Sequence, residues 1–111
     1  MTDKEELYEV RWGQAAQIRL AEMESYKVNP KLVFVKSNHL LGRSPRIVAY
    51  DVVDFENFKY NGCYWTLLNN VILVYSISER NKKVYVLASF FANTAWAHQI
   101  FWGIEPEDWE E

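Results

Sequence analysis

The sequence predicts an α+β fold, with an N-terminal strand and two helices packed on an antiparallel sheet in the order β-α-α-β-β-β-β. Three observations predict it. Residues 14–25 place Ala16, Leu20 and Met23 at i, i+4 and i+7, the spacing of an amphipathic helix. Beyond Pro45 the apolar period falls from helical to two, the period of strands. Between two of those strands stands Asn69-Asn70, a pair that tolerates the positive φ angles of a tight hairpin.

Taken in order, residues 8–12 alternate as a first strand, and Gly13 breaks it. The first helix fades near residues 25–28. Asn29-Pro30 is a cap followed by a proline at the first helical position, so a second helix starts there. Its early residues, Leu32 to Val35, also fit a short strand because β-branched side chains favour that state. Leu40, Leu41 and Gly42 read as the apolar end and C-cap of the helix. Residues 46–53 then read as a strand, and 54–62 as a polar loop with Phe55, Phe58 and Tyr60 turned inward. Strands at 63–68 and 71–77 flank the asparagine turn. A charged turn at 79–82 leads into a strand at 83–91. Asn93 or Thr94 caps a last short helix, 95–102, stopped by Gly103 and Pro106.

At 111 residues the chain is long enough for one core and too short for two ordinary domains, so 1–111 reads as a single domain with short acidic tails. Half of its residues are apolar or aromatic, which excludes a disordered body. No apolar run approaches the roughly 20 residues of a membrane helix. The start, MTDKEELYEV, lacks the basic and then apolar layout of a secretory signal, and Cys63 is a lone cysteine; the cytoplasm is the expected compartment. The net charge of −3 conceals a division, because residues 105–111 hold five acids and residues 1–6 hold three. Residues 7–104 keep eleven bases against seven acids, a mildly basic body. The acidic ends read either as solvated termini or as a mask over a basic face.

The four glycines are scattered, and no HExxH, CxxC or GxSxG occurs, which argues against a kinase, a metalloenzyme and a serine hydrolase. No cofactor or metal is expected.

The segment YEVRWGQAAQIRLAEM resembles the opening strand and first helix of the RelE/ParE toxin superfamily. YNGCYWTLLNNVILVYSISERNKKVYVLASF is similar to its central meander, in which an apolar strand ending in a tyrosine is followed by a charged turn and a V-x-V-L strand. The likeness spans residues 8–102. It implies the toxin of a type II toxin–antitoxin system, held in check by a cognate antitoxin protein and acting on translation or DNA topology. Many RelE-like members cleave mRNA on the ribosome without metal, using cations on the central strands and a C-terminal tyrosine or histidine. Attack of a 2′-OH on the adjacent phosphate needs a base, donors for the added negative charge and an acid for the leaving oxygen.

This chain departs from that pattern. Trp65 and Leu67 lie on the strand where the basic residues usually project, and Ile72 opens the next, near the place of a frequent arginine. Neither strand contains Lys, Arg or His. The candidates for catalysis are therefore His98, whose ordinary pKa suits an acid or a base, with Arg46 and Lys59 as cations. His98 also reads as a bystander on the last helix, and Arg46, Lys59 and His39 as solvated surface residues; Arg11 and Arg19 are expected to face solvent. The C-terminal half is rich in aromatic rings, which read as core, as a protein interface or as stacking platforms for RNA bases. Trp65, Trp96, Phe101 and Trp102 are the expected anchors for an antitoxin. The alternative to a ribosome-dependent endoribonuclease is a non-enzymatic interaction domain on the same scaffold.

Overall fold

The structure is a computed structural model, and it describes residues 7–102. The acidic ends and the stop signals Gly103 and Pro106 lie outside the described residues. The elements are β1 (Glu9–Trp12), α1 (Gln14–Glu22), a 3-10 turn (Met23–Tyr26), α2 (Pro30–Arg43), β2 (Asp51–Val52), β3 (Tyr64–Leu68), β4 (Val71–Ser78), β5 (Lys83–Phe91) and α3 (Ala95–Ala97), which continues into a π turn, His98–Trp102. The fold is α+β, as the sequence predicts. One sheet holds all five strands in the order β1-β5-β4-β3-β2. Strands β2 to β5 form an antiparallel meander, while β1 returns to pair parallel with β5, from Glu9↔Lys83 to Trp12↔Val86.

Local chemistry accounts for most boundaries. The Asn29 side chain accepts a hydrogen bond from the Leu32 amide at 3.1 Å, and Pro30 follows in the first turn. That cap, with Val33, Ser37 and Leu41 buried at helical spacing, decides for helix over the strand preference of Leu32 to Val35. Gly42 is not the C-cap: α2 runs on to Arg43 and Ser44 caps it. Gly42 instead lets the helix approach β1. A Cβ there would meet the Tyr8 carbonyl oxygen at 3.2 Å, and that oxygen's own residue donates its amide to the Gly42 carbonyl at 2.7 Å.

The expected strand over 46–53 shrinks to Asp51–Val52. The amides of Ile47 and Val48 both bond to the Ser44 carbonyl, which rolls the chain into a turn. Tyr75 and Thr66 then fix that turn through their hydroxyls, which donate to the carbonyls of Pro45 and Val48 at 2.6 and 2.7 Å. Side-chain anchoring thus replaces ladder pairing over 45–48, and backbone pairing resumes where the Tyr50 amide donates to the Trp65 carbonyl at 2.8 Å.

Asn69 and Asn70 take φ values of 53° and 68°, the two positive angles of the predicted tight hairpin. The sheet has a core on each face. On one, Ala16, Leu20, Met23, Val33 and Leu41 of the helical layer meet Val71, Leu73, Tyr75, Val84 and Val86. On the other, Trp65, Ile72, Val74 and Ala88 lie under Ala97 and Phe101, with Phe58 and Tyr60 of the 54–62 loop at the side. A bulge between Val74 and Tyr75 shifts the β4–β5 register, so Val86 faces the helices while Ala88 faces the second core.

Candidate functional site

β1 stops opposite Val86, so residues 87–91 run past the end of their parallel neighbour. α1 lies along this part of β5, held by a hydrogen bond from the Ser89 hydroxyl to the Ala16 carbonyl at 2.8 Å. On the far side stand the 54–62 loop and the C-terminal helical segment, whose entry is capped by Thr94 Oγ1 accepting from the Ala97 amide at 3.0 Å. The space between is an open groove.

Trp96 forms a ridge within it. Its ring lies 4.8 Å from Phe90 and 6.1 Å from Phe58, centre to centre, yet the side chain is 46% exposed. Two hollows of about 330 and 340 Å³ flank the ridge and share Arg19, Phe90 and Trp96. Lys59 lines the first, its Nζ 5.2 Å from the centre of the Tyr60 ring. Tyr26 and Phe91, 4.9 Å apart, wall the second. Among the described residues no acidic side chain lines either hollow. The groove therefore combines exposed ring faces with two cations, which suits planar, negatively charged ligands.

The sequence-predicted residues fall in different places. Lys59 and Trp96 line the groove. His98 sits in the π turn, half-buried, with its ring 5.2 Å from Trp102, and it does not line the hollows around Trp96. Arg46 lies on the helix side of the sheet, donating to Glu79 and, at 2.7 Å, to the Tyr64 hydroxyl. The structure therefore does not bring Arg46 together with His98. Trp65 and Phe101 are core residues, 3% and 9% exposed, with their rings 5.2 Å apart. They support the aromatic face from beneath, and only Trp96 and Trp102 of the four expected anchors are open to a partner.

Trp65, Leu67 and Ile72, the residues that stand in place of cations, all pack in the second core. That face of the central strands is thus filled by hydrocarbon and covered by the loop and the last helical segment. Burial raises the pKa of the Cys63 thiol, which holds it in the protonated, weakly nucleophilic form. Among the described residues, no three His, Cys, Asp or Glu side chains converge to hold a metal ion, and no helix is long and apolar enough to cross a membrane.

Sequence reasoning missed Arg19, Tyr60 and Phe90 as groove residues. Arg19 lies outside the apolar stripe of α1, which marks it as exposed but does not say what it faces. Only the parallel placement of β1 and its early end reveal that.

No protein-family model matches this sequence, and no curated protein matches it. The fold has a solved counterpart. A chain of the crystal structure of the toxin–antitoxin complex RelBE2 from Mycobacterium tuberculosis superposes with a TM-score of 0.57 at 20% identity, covering 78% of this chain and 99% of that one.

Proposed function

From this RelE-type fold we propose that the chain is the toxin of a type II toxin–antitoxin pair, and that it engages single-stranded RNA in the groove beside Trp96. The observation that carries the reading is the shared fold, which spans nearly the whole of the matched chain. The groove adds a chemical reason. Unpaired bases stack on exposed rings, at about 1–3 kcal/mol per base, while Arg19 and Lys59 meet the phosphates. The cognate antitoxin covers the same aromatic surface, with Trp96 and Trp102 as its anchors.

Cleavage would give charge stabilisation to Lys59 and Arg19, which line one hollow, and would require His98, outside both hollows, to reach the RNA from the π turn for proton transfer. A second reading, action by occupancy without cleavage, is favoured by the engagement of Arg46 with Glu79 and by the apolar central strands. Inducing the chain alone and following growth and RNA integrity separates the two. Cleavage makes His98→Ala lose most activity, by about 10² to 10⁴-fold. Occupancy leaves His98→Ala fully toxic with RNA intact. Growth unaffected by the wild-type chain removes both readings.

A further inference from the structure

The stretch from Lys27 to Arg46 contains five bases and no acid, and α2 occupies most of it. The buried side of α2 is Val33, Ser37 and Leu41. Outside that stripe Leu32, Val35 and Leu40 are 42%, 56% and 40% exposed, with Val35 opposite the buried side and Leu40 at its edge. Lys36 and His39 fall between them at helical spacing, and Arg43 follows one turn after His39, 3.3 Å from its ring nitrogen. Single exposed leucines are ordinary on a protein surface. Here Val35 and Leu40 flank Lys36 and His39 along a groove of about 490 Å³, bordered across from α2 by Leu68 of β3. Val35, Lys36, His39 and Leu40 form the near wall, so among the described residues no acidic side chain lines it.

We infer that the outer face of α2 is a docking surface for an acidic amphipathic helix of another protein. Shape and charge select this occupant. A shallow apolar groove beside a helix accepts anchors at i, i+3 or i+4, and i+7 from a second helix. The cations beside those anchors attract carboxylates on the flanks of the incoming helix and repel a basic one. A second copy of this chain is a poor fit, because two such faces would bring Lys36 and Arg43 against their own equivalents. This surface is formed by α2 and the end of β3, apart from the residues lining the Trp96 groove.

The test uses the isotopically labelled full chain and two synthetic helical peptides. Both carry leucines at i, i+4 and i+7; one has glutamates on the flanks and the other lysines. The acidic peptide should move the amide resonances of Val35, Lys36, His39, Leu40 and Leu68, and bind at least about tenfold more tightly than the basic one. Its affinity should fall as salt rises. Lys36→Glu and Val35→Asp should each weaken it about tenfold while leaving the thermal melt of the chain unchanged, since both side chains are exposed. Equal binding of the two peptides, or resonance changes elsewhere, would overturn the inference. So would concentration-dependent dimerisation through these residues, or their response to deletion of residues 105–111, which would put the chain's own acidic end in the groove. The measurement uses neither RNA nor growth, so its failure leaves the toxin reading untouched, and the reverse holds equally.

Discussion

The Arg46 guanidinium donates two hydrogen bonds to one carboxylate oxygen of Glu79, at 3.0 and 2.7 Å. Tyr8 donates its hydroxyl to the same carboxylate at 2.9 Å, and Lys82 stands 3.5 Å away. The cluster ties the turn after α2 to the β4–β5 hairpin and to the residue before β1. It is solvent-exposed, so its contribution to stability is small.

This cluster gives a pH dependence of known sign. The hydrogen bonds from Arg46, and next those from Tyr8, hold the Glu79 carboxyl below its ordinary value of 4.5. A depressed folded pKa contributes stability that is fully present above the unfolded value and is lost as pH falls through the folded one. Melting temperatures followed downward from pH 7 should therefore fall less steeply below about pH 4.5 for Glu79→Gln than for the wild-type chain. Equal acid limbs for both proteins would show that Glu79 is not held by these partners.

Trp65 and Trp96 should respond in opposite ways to truncation. Trp65 fills the second core, so Trp65→Ala should cost about 3–5 kcal/mol in denaturant unfolding. Trp96→Ala loses mainly its ring pair with Phe90, at about 1 kcal/mol. If the proposed antitoxin binds this surface, Trp96→Ala and Trp102→Ala should each weaken the complex by about 2 kcal/mol. A complex indifferent to both substitutions would move the interface off this surface.

The β3–β4 turn makes a separate claim. Both asparagines adopt left-handed angles, which cost a branched residue about 1–2 kcal/mol more than asparagine or glycine. Asn70→Val should lower unfolding free energy by that amount, and Asn70→Gly should not lower it. Equal stability of the two variants would contradict the hairpin geometry.

The elements legible in the sequence are those set by local chemistry. The Asn29 cap, the Asn69-Asn70 turn and the period-two runs place α2, β3, β4 and β5 within a residue or two. What depends on distant partners is hidden. The 45–48 segment falls within the expected strand, yet hydroxyls from Thr66 and Tyr75 bind its carbonyls and hold it as a turn. Gly42 resembles a helix stop because nothing in the sequence announces that the Tyr8 carbonyl oxygen would stand 3.2 Å from a Cβ there. Of the candidate site, the aromatic excess is visible. The split between buried Trp65 and exposed Trp96 is not, because both sit in equally apolar surroundings along the chain.

Catalysis and binding separate through the cations. Arg19→Ala and Lys59→Ala should each reduce RNA affinity and flatten its salt dependence, by about 0.7 in the log–log slope for each phosphate no longer neutralised. Arg46→Ala should leave the slope unchanged, because that guanidinium lines neither hollow and is held by Glu79. A slope that flattens for Arg46→Ala and not for Lys59→Ala would place the RNA away from the Trp96 groove.

The most direct measurement is the equilibrium affinity of a single-stranded RNA oligonucleotide for the wild-type chain and for Trp96→Ala, at two salt concentrations. Stacking of one base on the exposed indole predicts a loss of about 1–3 kcal/mol in the variant, roughly five- to 150-fold, at both salts and with the thermal melt preserved. Unchanged affinity in Trp96→Ala, or no binding of RNA by the wild-type chain, would contradict the assignment of this groove.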